Sequence, residues 1–100
     1  MKISITARHC DIPDQLRERA LLLMAKLAKI AHRPQSAEVV FDEDHQRRVV
    51  ELRMFLTRGQ AHVASGEADN FRSALDRAVE RLRSQLNKKG GRPARRAPTA

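Results

Sequence analysis

The spacing of apolar residues along this 100-residue chain switches repeatedly between two periods, and this switching constrains the fold more than any other feature. Alternation with a period of two is typical of a half-buried strand, whereas recurrence every three or four residues is typical of a helix with one apolar face. Such strands and helices can bury their apolar faces together only if the helices cover one side of a sheet. The chain therefore predicts a two-layer fold, and its length leaves room for one domain.

The first third of the chain predicts one strand and one helix. Residues 2–7 alternate between apolar and polar side chains, which indicates a strand. Asp11 and Pro13 then mark a helix start, because proline suits the first turn and acids suit the positive end of the helix dipole. We expect the helix to continue to Arg33, where Pro34 forbids continuation. Its predicted buried stripe consists of Leu16, Ala20, Leu23, Met24, Leu27 and Ile30.

The middle of the chain predicts three more strands. Residues 37–41 alternate, the polar segment 42–46 has the composition of a hairpin tip, and apolar side chains again occupy one face of residues 50–56. A tight turn at 58–59 leads into a fourth strand over 61–67.

The last predicted element is a second helix, capped by Asp69 or Asn70 and ending at the glycine pair 90–91. The order β-α-β-β-β-α predicts an α+β two-layer sandwich with a four-stranded sheet and both helices on one face. We assign residues 1–89 to this domain and residues 90–100, rich in Gly, Pro and Arg, to a disordered basic tail. The predicted buried stripe of the helix consists of Phe71, Leu75, Ala78, Val79, Leu82 and Leu86.

The positive charge is concentrated at one end of the chain. Residues 77–100 carry eight basic side chains and one acid, Glu80, whereas residues 1–76 carry 12 basic and 11 acidic side chains. The total is +8. A field concentrated on one end of a small domain favours a polyphosphate partner, and therefore nucleic acid.

One line along the second helix holds basic residues without an acid. At about 100° per residue, Arg77, Arg81 and Lys88 share a line opposite the buried stripe. The acids of this helix fall on the neighbouring line, where Arg72 and Asp76, and also Glu80 and Arg83, have the spacing of paired side chains. The sequence thus predicts that acids neutralise the arginines of the neighbouring row, whereas the row of Arg77, Arg81 and Lys88 stays unpaired.

The first helix has a similar basic row, in which Arg19, Lys26 and Arg33 are spaced by seven residues and Lys29 lies close by. We expect this row and the row on the second helix to line a surface shared by the two helices. Exposed helix faces are also often basic for solubility alone, and for the first helix both interpretations stay open.

Catalytic and metal sites are not predicted. His9, Cys10 and Asp11 stand side by side, but catalytic groups need convergent geometry that adjacent residues seldom provide. The histidines show no metal-ligand spacing, and there is no glycine-rich phosphate loop, so we predict no enzyme activity, metal or cofactor.

The three phenylalanines bear on the mode of nucleic-acid recognition. Phe41, Phe55 and Phe71 are the only aromatic residues, and at least two of them fall on apolar faces. We therefore expect core packing rather than base stacking, which favours recognition of structured RNA by its shape and phosphates.

The sequence also bears on cellular location. No apolar stretch approaches the roughly 20 residues that cross a bilayer, and the N-terminus does not have the layout of a signal peptide. The single cysteine fits a reducing compartment. We expect a cytoplasmic protein.

Several short motifs, taken in order, resemble the ribosome hibernation-promoting factors, also called ribosome-associated inhibitor or sigma-54 modulation proteins, in their short form. Their order and spacing are more specific than any one of them. They are Ile3-Ser4-Ile5-Thr6, the helix start at 11–17, Lys26-Leu27, the segment 70–76, Arg81-Leu82, Gln85-Leu86 and Lys88.

The resemblance implies a domain similar to a double-stranded RNA-binding domain with an added strand. It further implies that the protein lodges between head and body of the small ribosomal subunit, in the path of mRNA and of the A- and P-site tRNAs. There it would silence and protect idle ribosomes during stress or stationary phase. Carried over by position, Lys26, Arg81, Gln85 and Lys88 would contact ribosomal RNA, and Asp76 would make a helix-surface or inter-helix polar contact.

Long members of this family add a second domain for ribosome dimerisation, which a chain of this length cannot contain. We therefore expect any dimerisation to need a second ribosome-modulating protein. Two other functions remain open: a generic structured-RNA or DNA-binding module acting through the second helix and the Arg-rich tail, and a regulator that binds an acidic protein. The predicted RNA-binding residues are Arg19, Lys26, Lys29, Arg33, Arg77, Arg81, Gln85, Lys88, Lys89 and Arg92.

Overall fold

The computed structural model of the chain describes residues 1–89, apart from the side chains of Arg58, Lys88 and Lys89. The predicted disordered tail lies outside the described residues. The elements are β1 (Lys2–Arg8), α1 (Asp14–Ile30), β2 (Pro34–Asp44), β3 (Arg47–Leu56), a short 3-10 helix (Thr57–Gly59), β4 (Ala61–Ala68) and α2 (Phe71–Lys89).

The four strands form one sheet in the order β1-β2-β3-β4, so β1 and β4 are its edges. β1 runs parallel to β2, which requires the crossover through α1, and the remaining neighbours are antiparallel hairpins. Both helices cover one face, and the other face is open. The predicted α+β sandwich is confirmed. Neither helix in this described part of the chain is long and apolar enough to cross a membrane.

The core lies between the sheet and the two helices. Alternate residues of β3 and β4 are buried under α2, as the period of two predicts. Phe71 of α2 packs edge-to-face on the fully buried Phe41, with ring centroids 5.6 Å apart. Two of the three phenylalanines therefore belong to the core, whereas Phe55 is 39% exposed on the open face of the sheet.

The predicted stripe of α2 is confirmed, because Phe71 is half-buried and its five other members are buried. Asn70 caps this helix by accepting a hydrogen bond from the Ser73 amide at 2.8 Å. The stripe of α1 is confirmed except at its end, where Ile30 is 45% exposed.

The predicted end of α1 is wrong. The helix stops at Ile30, and Arg33 has a φ of 54° in the left-handed region. Pro34 explains the early stop, because its ring clashes with the carbonyl four residues earlier and also restricts the residue before it. β2 starts at Pro34 instead, and the Arg33 carbonyl accepts hydrogen bonds from the amide and hydroxyl of Thr57.

The hairpin between β2 and β3 is tighter than the polar segment 42–46 predicts. Its strands extend through Asp44 and from Arg47, which leaves a two-residue turn. The central residues His45 and Gln46 both have positive φ, 49° and 69°, as in the mirror-image turns that match the twist of a hairpin. Glycine or asparagine usually fills these positions, so the sequence shows no typical signal of this turn.

Small side chains bring α2 unusually close to β4. The helix-facing residues Ala64, Gly66 and Ala68 are all buried. A Cβ atom at Gly66 would lie 2.6 Å from the Ala78 amide nitrogen and against the Ala74 carbonyl, both of which belong to the backbone of α2. This close approach places one flank of α2 directly over the exposed edge of the sheet.

Candidate nucleic-acid interface

Three side chains of α2 reach over the edge of the sheet and donate hydrogen bonds to backbone carbonyls of β4. Arg77 Nη1 lies 2.6 Å from the Glu67 oxygen, and Arg81 Nη1 lies 2.7 Å from the Ser65 oxygen. Gln85 Nε2 lies 2.8 Å from the Val63 oxygen. We call these three contacts the carbonyl ladder.

The regularity of the carbonyl ladder follows from two spacings that nearly agree. Four residues of a helix rise about 6 Å. Two residues of a strand rise about 6.6 Å. A side chain on every fourth residue of α2 therefore meets the carbonyl of every second residue of β4, with the residue numbers running in opposite directions.

The two arginines of the ladder remain exposed and carry uncompensated charge. In the part of the chain that the structure describes, neither Arg77 nor Arg81 forms a salt bridge, although Asp76 and Glu80 lie beside them. A guanidinium has five N–H donors, and the contact with β4 uses one of them. The remaining donors are held along the sheet edge, where a partner can reach them.

Arg19 differs from these arginines because it pairs with an acid. Its Nη2 and Nε atoms lie 2.9 and 3.3 Å from Asp76 Oδ1, and both side chains are partly exposed. Asp76 is thus an inter-helix contact, as the family resemblance implies. The predicted pair between Asp76 and Arg72 is wrong, because Asp76 points to α1.

The other predicted pair within α2, between Glu80 and Arg83, is also wrong. Among the described residues Arg83 forms no salt bridge, and its Nε atom is buried without a hydrogen-bond partner. The acid and the base at this helical spacing therefore do not neutralise each other.

The two basic rows do not line one shared surface, which corrects the expectation from their spacing. Arg19 meets α2 on the flank that carries Asp76, whereas Arg77 and Arg81 extend over β4 from the opposite flank. Arg33 lies outside α1 altogether and borders a surface cavity of about 280 Å³ together with His32, Thr57 and Gln60.

The remaining predicted site residues divide into two groups. Lys26 and Lys29 are exposed on α1. Lys88 and Lys89 lie in the last turn of α2, and their side chains, like Arg92, lie outside what the structure describes. Their predicted contacts with RNA stay predictions.

The sequence pattern did not reveal the part that β4 plays in this interface. The usable signal was the row of small residues at 64, 66 and 68, which indicates that a helix packs closely on the strand. Combined with the basic line on α2, it points to guanidinium groups at the edge of the sheet.

A second polar cluster joins the end of β1 to the end of β2. His9 Nδ1 is hydrogen-bonded to Asp42 Oδ1 at 3.1 Å, and this contact lowers the pKa of the Asp42 carboxyl. Burial raises the pKa of the neighbouring Cys10 thiol, and Asp42 adds to that effect. A thiol with a raised pKa is a weak nucleophile, and Cys10 Sγ donates to the Phe41 carbonyl at 3.6 Å. These contacts fix the loop that leads into α1.

Comparison with known proteins gives a consistent result. The solved structures that are similar to this chain include two with a TM-score of 0.76 and 25% sequence identity. One is a ribosomal subunit interface protein from Coxiella burnetii, matched over 92% of this chain and 100% of that chain. The other is the Thermus thermophilus Protein Y N-terminal domain, matched over 89% of this chain and 99% of that chain.

No protein of curated function matches the sequence. Residues 3–93, however, match the family described as Sigma 54 modulation protein / S30EA ribosomal protein. This match spans nearly the whole chain and confirms the resemblance that the motifs indicate. The chain belongs to the sigma 54 modulation protein / S30EA ribosomal protein family.

Proposed function

We propose that this protein binds RNA of the small ribosomal subunit through Arg77 and Arg81, and that it inhibits translation on idle ribosomes. Its family includes ribosomal proteins by name, and a structural neighbour is a ribosomal subunit interface protein. The observation that carries the proposal is the exposed pair of arginines that carry no compensating acid in the described residues.

The carbonyl ladder makes these arginines suited to phosphate groups. Ordering a free arginine side chain on binding costs conformational entropy, and here β4 has already ordered it. Arginine also offers several donors in one plane, so it binds a phosphate with more than one hydrogen bond. The pair therefore supports binding to the RNA backbone with little sequence preference.

The inhibition that we propose is steric and requires no chemistry by this protein. A folded domain seated between head and body of the small subunit excludes mRNA and the A- and P-site tRNAs from the same space. The protein works in the cytoplasm, under stress or in stationary phase. A second ribosome-modulating protein would supply any ribosome dimerisation.

Co-sedimentation with purified small subunits tests this function. We expect the double variant Arg81→Glu, Lys88→Glu to lose binding while its circular dichroism spectrum stays unchanged. The matched control is Lys2→Glu with Arg17→Glu, which makes the same change in net charge at exposed positions away from the interface. Binding of the first variant at the level of the control would contradict the proposal.

The dependence of binding on salt gives a second readout. Each contact between a basic side chain and an RNA phosphate lowers log K by about 0.7 to 0.9 per unit of log salt concentration. Two arginines that contact phosphate should therefore account for a decrease of about 1.4 to 1.8 per unit of log salt.

Two further experiments separate this function from its alternatives. Deletion of residues 90–100 should only weaken binding, whereas a module that acts through its Arg-rich tail would lose it. Nuclease treatment of a pull-down should release the bound material, whereas an acidic protein partner would stay bound.

A further inference from the structure

The edge strand β4 presents backbone N–H groups beside the two arginines. In an antiparallel strand the N–H and C=O of one residue point to the same side. The carbonyls of Val63, Ser65 and Glu67 accept from α2, so they point away from β3. The N–H groups of these three residues therefore also point outward along the edge.

These N–H groups alternate with the carbonyls that α2 covers. Along the edge, the Ser65 N–H lies between the oxygens that Gln85 and Arg81 occupy. The Glu67 N–H lies between the oxygens that Arg81 and Arg77 occupy. An open strand edge offers both donors and acceptors, but this edge offers chiefly donors because its acceptors are engaged.

We propose that the β4 edge is a phosphate-binding track, in which the outward N–H groups of Ser65 and Glu67 act together with Arg77 and Arg81 on consecutive phosphates of one RNA strand. This inference rests on the proposed function and adds backbone donors to it. A phosphate at the Glu67 N–H receives hydrogen bonds from that N–H and from Arg77 and Arg81, whereas a phosphate at the Ser65 N–H receives them from that N–H and from Arg81. Backbone N–H groups that converge on an anion are a common way to bind phosphate.

The spacing of the track fits a nucleic-acid strand. Outward N–H groups recur every two residues, or about 6.6 Å. This distance is similar to that between neighbouring phosphates on one extended strand. A protein strand fits the same edge poorly, because strand addition needs free acceptors as well as free donors, and Arg77, Arg81 and Gln85 occupy the acceptors.

Proline substitution at Ser65 tests the track without a change in charge. Proline is tolerated on an edge strand where the N–H faces solvent, because no hydrogen bond to the neighbouring strand is lost. We expect Ser65→Pro to remain folded and to bind small subunits about tenfold more weakly, as the loss of one hydrogen bond to a charged group implies. The matched control Ser65→Ala keeps the N–H and should bind like the wild type.

The outcomes separate this inference from the function on which it rests. If Ser65→Pro binds as well as Ser65→Ala while Arg81→Glu with Lys88→Glu does not bind, the phosphate track is wrong and the proposed function stands. If the wild type itself does not bind small subunits, the proposed function is wrong.

Amide hydrogen exchange on the wild-type protein gives a test that does not depend on any variant folding. In the free protein we expect the amides of Ser65 and Glu67 to exchange fast, and those of Ala64 and Gly66, which face β3, to exchange slowly. Small-subunit RNA should protect Ser65 and Glu67 strongly. Fast exchange of both amides in the complex would overturn the inference, and so would binding of an acidic peptide with the same protection.

Discussion

At the scale of single residues, arginine at positions 77 and 81 has enough N–H groups to bind a β4 carbonyl and a partner together, whereas lysine is less suited to this. Each guanidinium holds a β4 carbonyl with one nitrogen and keeps other N–H groups for a partner. An ammonium group is a compact point charge, so its contact with a carbonyl competes with its contact with a phosphate. We therefore expect the geometry of the side chain, and not its charge alone, to contribute to the proposed binding.

The variant Arg81→Lys separates geometry from charge. We expect its affinity for small subunits to fall about fivefold, equivalent to roughly 1 kcal/mol, because the lysine ammonium group cannot hold the Ser65 carbonyl and a phosphate equally well at the same time. The control Arg17→Lys lies on the exposed face of α1 and should bind like the wild type. Equal affinity of the two variants in a sedimentation titration would show that charge alone matters.

A second prediction at this scale concerns Asp42 and the pH. Its pKa is lowered from the ordinary value of 3.8, mainly by the hydrogen bond from His9. A lowered pKa in the folded state stabilises the fold above the unfolded pKa, and this contribution is lost as the pH falls through the folded pKa.

The variant His9→Ala tests this linkage. We expect its free energy of unfolding, measured by urea denaturation, to fall less steeply than that of the wild type below about pH 4. Parallel curves for the two proteins over this range would contradict the assignment.

At the scale of elements, the close packing of α2 on β4 is the structural basis of the proposed interface. Apolar periodicity predicted the strands and helices of residues 1–89, because the apolar side chains of each element recur mainly on one face. It did not predict the end of α1, because Pro34 restricts the backbone conformation of Arg33 and the apolar pattern does not. Nor did it predict which flank of α2 faces α1, because a helical wheel shows which residues share a line but not what lies opposite.

The same limit of the helical wheel explains why the contacts of the candidate site were predicted only in part. The line through Arg77 and Arg81 was visible in the sequence, and the structure describes both as exposed. Their contacts with β4 carbonyls were not visible, because they depend on tertiary packing at Gly66. Arg19 was placed in the same predicted site, but it is paired with Asp76 across the helices.

Substitution of Gly66 tests this packing. A methyl group there meets backbone atoms of α2 that have no side-chain freedom, so α2 must move away from β4. We expect Gly66→Ala to lower the free energy of unfolding by about 1 to 3 kcal/mol and to weaken RNA binding through the displaced ladder. Ser65→Ala, on the exposed face of the same strand, should change stability by less than about 0.5 kcal/mol. Equal stability of both variants in chemical denaturation would contradict the close contact.

At the scale of the whole molecule, ion pairs are distributed unevenly between the open face of the sheet and the edge formed by α2 and β4. Arg53 pairs with Glu38 and Glu51 on the open face of the sheet, and Arg48 pairs with Glu43 near the hairpin. The edge formed by α2 and β4 instead carries Arg77 and Arg81 without an acid partner in residues 1–89. We expect this difference to orient the molecule toward a polyanion before contact is made.

A cryo-electron microscopy structure of the protein on the small ribosomal subunit tests the central claim most directly. We predict that Arg77 and Arg81 contact ribosomal RNA phosphates between head and body, with the β4 edge against the same strand. A map in which the open face of the sheet contacts the RNA, while Arg77 and Arg81 face solvent, would contradict the account.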